Sequence, residues 1–259
     1  MEVRSLGYRT DLAILALEGS QVTDHDDHLV VRTPSNPDYW WGNFLLLQDL
    51  GPGSGSVWRA RFAAEFPGAQ HMALGLDETD AATIGPDELA GMTMEQNAVM
   101  TATSVHAPPH PNTEAVFRAL TGDADWRQSF ELASTVHAGE AGGEVGFLSA
   151  RLTAIRTLTE AGHGTWFGAF LDGTLVSQLG LITGITGLAR YQSVETHPAA
   201  RRRGLAGTLV WHASATVLAV ETRTLVMVAD PGDAAIRVYR SVGFTVTESQ
   251  VSFIRQPAR

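Results

Sequence analysis

The sequence contains no cysteine and no lysine. The first absence removes disulfides, thiolate metal ligands and a thiol nucleophile. The second removes Schiff-base chemistry on a lysine amine and the lysine-bearing phosphate loop. No apolar run is long enough to cross a bilayer, and no basic N-terminal stretch leads into one, so neither a membrane span nor a signal is expected and the chain is expected in the cytoplasm. Basic residues are few: 18 arginines against 28 acids leave a net charge of −10. That balance argues against nucleic acid or an anionic membrane as a partner.

What is present reads as a globular protein. The 259 residues are 44% hydrophobic and 18% charged, enough apolar material for one large domain or two of ordinary size. Charge is unevenly spread. Residues 1–150 hold 21 acids and 7 arginines, net −14, and residues 151–259 hold 7 acids and 11 arginines, net +4. Two units with different electrostatic tasks are expected.

In the first half LAILAL, HLVVR and GNFLLLQ read as strands, and LGPGSGS as a turn or loop. SVWRARFAAEF spaces Val57, Ala60, Phe62, Ala63 and Phe66 as a helix, with Ser56 as its cap. HMALGL and MEQNAVMTA follow as strands. HAPPHPNT, residues 106–113, breaks the pattern with three prolines and marks a domain junction or an internal loop. Residues 123–138 and 143–160 read as helices divided by GEAGG, the second with a stripe of Val145, Leu148, Leu152, Ile155 and Leu158. TWFGAFL and TLVSQLGLI form a hairpin about Asp172 and Gly173. A strand in ITGLARYQSVET, a helix over about 204–219, the strand TLVMVA, the helix DAAIRVYRSV and the strand FTVTESQVSFI complete a mixed α/β order.

HPAARRRGLAG, residues 197–207, lies between a strand and a long apolar helix. The first turn of a helix leaves backbone N–H groups without partners, and its positive end favours anions. Gly204 and Gly207 allow close approach and the arginines add charge. The alternative is an ordinary strand-to-helix loop with surface arginines. Arg201, Gly204 and Ala206 fit Arg-x-x-Gly-x-Ala, and Asp233, Ala234, Tyr239, Gly243 and Phe244 resemble Asn-x-x-Ala-x-x-x-Tyr-x-x-x-Gly-Phe further on. On these two motifs, in this order, the segment of about residues 140–256 resembles the GNAT superfamily of acyl-CoA N-acyltransferases.

The resemblance implies a GNAT-like α/β (mixed α+β) fold, a central and largely antiparallel mixed sheet flanked by helices, over residues 122–259. A degenerate GNAT-like unit is expected over residues 1–121, where no Arg-x-x-Gly-x-Ala loop is found. By the same resemblance the backbone of Arg202, Arg203, Gly204, Leu205, Ala206 and Gly207 would cradle the pyrophosphate of acetyl-CoA, with Arg201 leading into the turn. Val194 and Thr196 would lie along the pantetheine arm, and Asp233 and Ala235 beside the coenzyme. Asp233 is expected to cap its helix first and contact coenzyme second. Tyr239 would be the general acid toward the departing thiolate, or else a packing tyrosine. Glu195 would accept the amine's proton, or else pair with a neighbouring arginine; His197 is the alternative base. An N–H near Val194 or Glu195 would face the thioester oxygen.

The implied activity is direct transfer of an acetyl group to a primary amine, of a small molecule, in a ternary complex. A non-catalytic acyl-CoA-binding sensor or assembly subunit is the competing expectation. No metal is expected: His106 and His110 have no ligand spacing. Trp40, Trp41, Asn43 and Phe44 suit either an acceptor pocket or packing, and Glu95 and Asn97 suit solvent-facing strand positions. The acidic first half would draw in a cationic amine. Exposed apolar positions are compatible with a homodimer, although no motif fixes an interface.

Overall fold

The computed structural model describes residues 1–259 except 38, 52, 81–88, 90, 140–144, 219–223 and 257–259. The chain forms two compact units, one of Met1–Met100, Val228–Pro231 and Val246–Arg259, the other of Thr101–Met227 and Gly232–Thr245. This differs from the division at residue 121 expected from sequence. The residues just before that point pair into the second unit, and the end of the chain returns to the first.

In the first unit, α1 (Leu6–Leu17) is followed by an antiparallel meander of β1 (Gln21–Asp24), β2 (His28–Arg32) and β3 (Phe44–Leu47). The helix α2 (Gly55–Glu65) then crosses to β4 (Met72–Leu76), parallel to β3. The strand β5 (Thr93–Ala102) and the C-terminal β11 (Thr245–Arg255) complete the order β1-β2-β3-β4-β11-β5. Alternate side chains separate the faces. Val30, Leu45, Leu47 and Leu74 pack with Trp58 and Phe62 of α2, while Leu29, Val31, Phe44, Leu46 and Ala73 pack with Tyr8 and Leu15 of α1.

LAILAL is therefore the end of a helix and not a strand. Six apolar residues alone do not distinguish the two. The longer window does, since Gly7, Tyr8, Ile14 and Leu15 are buried at helical spacing and Ser5 accepts a hydrogen bond from the Tyr8 N–H at the N-cap. The second helix starts one residue before the expected Ser56, with Ser54 at its cap position and no side-chain capping bond.

The second unit shares with the first the run of helix, three-strand antiparallel meander, helix and parallel strand. β6 (Val116–Ala119), missed in the sequence, precedes α3 (Gly122–Val136) and α4 (Val145–Glu160). Part of the expected GEAGG divider lies outside the described residues. A meander of β7 (Gly164–Leu171), β8 (Thr174–Ile185) and β9 (Leu188–Thr196) follows, then α5 (Leu205–Leu218), then β10 (Thr224–Ala229) parallel to β9. A short helix, α6 (Ala235–Arg240), comes before β11. The order is β10-β9-β8-β7-β6, with β6 antiparallel to β7. Asp172 and Gly173 turn the hairpin in left-handed backbone, φ 47° and 79°. Leu132 and Ile155 of the paired helices cover Trp166, Phe170 and Leu175 on one face, while Leu205 of α5 packs with Ala169 on the other.

The start of α3 is held by Asp125, which accepts hydrogen bonds from Arg118 Nη2 at 2.9 Å and Thr121 N at 2.8 Å. Arg118 in turn lies 3.8 Å from the centroid of the Phe170 ring. The bond from Arg118, against the opposing effect of burial, holds the Asp125 carboxyl below its ordinary range. A depressed folded-state value stabilises above the unfolded carboxylate range and ceases to do so as pH falls through the folded value. Asp125→Asn is thus expected to lower Tm at neutral pH, with the gap from wild type closing as pH falls below about 4. Because Arg118 is 41% exposed, solvent screens the pair and the loss is about 1 kcal/mol, roughly 3 °C. Thermal melts between about pH 3 and 7 measure it; a gap constant across that range would exclude the ion pair as its cause.

Candidate functional site

The strand β9 is irregular where chemistry was expected. Gln178 pairs with Glu195 and Gly180 with Gln192, so one residue of β8 is matched by two of β9 and the strand bulges at 193–194. Ser193 is in left-handed backbone there, φ 47°. On its other edge the parallel ladder with β10 ends with Arg190 opposite Val226, although β9 runs on to Thr196. Beyond Arg190 that edge offers backbone donors and acceptors to something other than β10.

Past the strand, His197 N donates to Val176 O at 2.9 Å, and Pro198–Ala200 makes one turn of 3-10 helix. His197 Nδ1 accepts from Ala199 N at 3.2 Å, a capping role. Arg201 Nε reaches back to Thr196 O at 3.3 Å. Arg202 and Gly204 are in left-handed backbone, φ 62° and 73°, which folds the turn so that α5 starts at Leu205. Among the described residues none accepts a hydrogen bond from the N–H groups of 202–207; the first helical bond is from Thr208 N to Gly204 O. The side chains of 201–203 are exposed.

The three arginines have different tasks. Arg201 ties the turn to the strand end, Arg203 pairs with Glu114, and Arg202 has no partner among the described residues. The proline-rich segment proves to be the buttress of this turn. Asn112 Nδ2 donates to Arg203 O at 2.9 Å, and Asn112 N donates to Thr208 Oγ1 at 2.8 Å, whose hydroxyl donates to Gly204 O at 2.8 Å. A Cβ on Gly204 would stand 2.4 Å from His110 O, and one on Gly207 would stand 3.3 Å from Pro108 Cβ. The two glycines admit the chain's own segment 108–112, a different use of their small size from the one expected. Their N–H groups remain donors.

Among the described residues Glu195 does not pair with the neighbouring arginines. Its Oε1 lies 3.0 Å from His137 Nε2 at the end of α3, and its Oε2 accepts from Gln178 Nε2 at 2.7 Å. Gln178 Oε1 in turn accepts from Ser129 Oγ at 2.6 Å and Trp166 Nε1 at 3.3 Å. This network forms one end of a cavity of about 190 Å³. Ser193 of the bulge lines it too, so the strand irregularity and the carboxylate meet at one place.

Tyr239 is buried on α6, and its hydroxyl has no hydrogen-bonding partner among the described residues. Burial first, and the charge of Asp233 second, push it up to about 12. The hydroxyl therefore stays protonated throughout neutral pH. Asp233 stands one residue before the N-cap Ala234, and its Oδ1 accepts from Ala235 N at 2.9 Å at the start of α6. In the family pattern's own spacing, the alanine four residues before Tyr239 is Ala235 and the asparagine position is Gly232, so Asp233 lies one place along from it.

Among its described residues the first unit lacks these features. Its parallel pair is closed to the end: Leu47 stands opposite Leu76, and Asp77 N donates to Leu47 O at 2.8 Å. The turn before α2 has no basic residue, and Ser54 O accepts from both Val57 N and Trp58 N. Asn43 is consumed structurally, donating to Asn36 O and Tyr39 O at 2.9 Å and accepting from Thr33 N at 3.1 Å. Phe44 is in the core, Trp40 stacks on His71 and Trp41 packs edge-on to Phe44. Glu95 is exposed and Asn97 half-buried on β5. Among the described residues no group of three or more histidines and acids is placed to hold a metal, and no helix is long and apolar enough to cross a membrane.

Residues 127–244 match the model of the acetyltransferase (GNAT) family. That segment is a GNAT domain. The comparison with curated proteins gives no match. Among solved structures, a conserved protein of unknown function from Staphylococcus epidermidis ATCC 12228 aligns over 92% of this chain and 95% of its own, with TM-score 0.71 and 11% identity. A GCN5-related N-acetyltransferase from Kribbella flavida aligns over 98% and 97%, with TM-score 0.68 and 14% identity. A tandem GNAT protein of the clavulanic acid biosynthesis pathway aligns over 97% and 94%, with TM-score 0.55 and 16% identity. At these identities the likeness is one of fold, and it extends to the unit that precedes the GNAT domain.

The GNAT domain holds every residue singled out from the two motifs: the turn, Glu195, Tyr239 and Asp233 all belong to the second unit. His137, Gln178, Ser129 and Asn112 were missed. None sits in a motif, and each acquires its place only when α3, β8 and the 108–112 segment are folded around β9 and the turn.

Proposed function

We propose that the chain is an acetyl-CoA-dependent N-acetyltransferase acting on a primary amine through its second unit. The observation that carries this is the run of unpartnered N–H donors at 202–207, beside the open edge of β9 and in the same unit as Glu195. These features suit a coenzyme with a pyrophosphate and an amide-containing arm: helical N–H groups and the exposed Arg202 meet phosphate charge, and the strand edge at Val194 and Thr196 meets amides. Bound acetyl-CoA supplies an acyl thioester open to attack by a neutral amine.

The chain's own groups then have these tasks. Glu195, oriented from both sides by His137 and Gln178, takes the proton that an ammonium must lose before it is nucleophilic. Each carboxylate oxygen already accepts one bond and has capacity for another. The bulge at 193–194 frees N–H groups from the ladder to face developing negative charge on oxygen. Tyr239 offers its hydroxyl hydrogen to the departing sulfur. Its value of about 12 stands above that of an ordinary thiol, ~8.5. Transfer completes only if the thiolate, in the same poorly hydrated surroundings, has its own proton affinity raised.

Calorimetry with acetyl-CoA, followed by a thiol-release assay with and without amines, tests the reading. Binding together with amine-dependent release is expected. Binding with no release for any amine would assign the chain to the coenzyme-retaining sensors, and no binding would remove the proposal altogether.

A further inference from the structure

We infer that the acceptor is a small primary monoamine with an apolar body, bound in the cavity between α3, α4, β8 and β9. The inference rests on the role proposed for Glu195 and adds what that role leaves open, the nature of the amine. The described lining of the cavity is of two chemical kinds, one polar, which includes Ser193 and Arg151 besides the groups named next, and one apolar. The polar part centres on Glu195, with Gln178 and His137. The rest of the wall includes Phe147, Leu148, Leu152, Ile155 and Trp166, all within the same lining. Trp166, Leu148 and Ile155 are at most 7% exposed, so this wall belongs to the core and is held in shape by it. Gly180 makes room for the indole, since a Cβ there would stand 1.9 Å from Trp166 Cζ3.

A carboxylate facing such a wall selects by desolvation. An ammonium placed against Glu195 keeps a charge partner, and an attached hydrocarbon gains from leaving water, roughly 0.8 kcal/mol per buried CH₂. A second ammonium further along the molecule would be pressed against leucine, isoleucine and indole, and Glu195 is the one carboxylate among the described lining residues, so it would cost several kcal/mol. The cavity is also open to solvent, so its volume sets the scale of the part of the acceptor that is buried. About 190 Å³ is below the ~300–1,000 Å³ of sites for drug-sized ligands. At interior packing density it holds on the order of eight non-hydrogen atoms, the scale of an arylethyl or branched alkyl amine. Arg151 also lines the cavity, with Nη2 3.4 Å from Gln192 Oε1, and its positive charge disfavours a second ammonium there.

The test is a panel in the thiol-release assay with saturating acetyl-CoA: 2-phenylethylamine and 3-methylbutylamine against 1,4-diaminobutane and alanine. The first two are expected to show kcat/KM at least tenfold above the others. Parity, or preference for the diamine or the amino acid, overturns the inference while leaving amine acetylation standing. Should no amine be turned over, equilibrium binding of 2-phenylethylamine to the coenzyme A complex decides: saturable binding supports the cavity and none overturns it. Leu152→Trp fills the apolar end and is expected to raise KM for 2-phenylethylamine at least tenfold with acetyl-CoA affinity unchanged. An unchanged KM counts against the cavity as the site. If that variant fails to fold, Ile155→Val, which removes one methyl group, is expected to shift preference toward bulkier apolar amines, and an unaltered ranking is the adverse result.

Discussion

Tyr239→Phe is expected to reduce kcat by about 10²-fold while leaving acetyl-CoA affinity within about twofold, because general acid assistance contributes about 10²–10⁴ and acts only as the sulfur departs. The ring remains to fill its buried position, so Tm should change little. The hydroxyl is pushed up to about 12 by burial and by Asp233, and it keeps its proton throughout neutral pH. Loss of activity on the alkaline side below that value therefore belongs to another group. Unaltered kcat in the phenylalanine variant, with calorimetry showing normal coenzyme binding, would return Tyr239 to a packing role.

The second large effect is expected at the turn. Gly204 has φ 73° and faces His110 O so closely that an added Cβ would lie 2.4 Å from it. Gly204→Ala pays twice: about 1–2 kcal/mol for an L-residue in left-handed backbone, and a further cost for displacing either the turn or the 110–112 segment. A fall in Tm and a rise of at least tenfold in the Kd for acetyl-CoA are expected together, since displacement moves the N–H donors out of register. Arg202→Ala provides the contrast. Its side chain is exposed and unpartnered among the described residues, so it should weaken coenzyme binding in a salt-dependent way without lowering Tm. Normal coenzyme affinity in Gly204→Ala would show that the turn does not bind the phosphates.

Much of this arrangement was legible because it is local. The alternation in HLVVR and TLVSQLGLI, the Asp-Gly hairpin and the arginine-rich entry to a helix each lie within a dozen residues, where backbone preference and side-chain period act directly. The failures have local causes as well. LAILAL is too short a run to reveal its period, and β6 is a four-residue strand following three prolines, visible only through its pairing with β7. The candidate site divides the same way. The turn, Glu195 and Tyr239 stand in motifs or beside them. The bonds from His137 and Gln178 to Glu195 span 58 and 17 residues, and the bond from Asn112 to Arg203 spans 91. Contacts over such separations are set by how helices pack on the sheet, which residue spacing along the chain does not encode.

The return of β11 to the first unit bears on the order of biosynthesis. Its residues 251–255 insert between β4 and β5, with Val251 opposite Leu76 and Val251 O accepting from the Tyr8 hydroxyl at 2.6 Å. A chain emerging from the ribosome makes β4 and β5 well before β11 and cannot close their sheet until β11 has been released. Until then β4 and β5 present bare edges of the kind that invite pairing with other nascent chains. The sheet of the first unit is thus completed only after the whole of the second unit has been made.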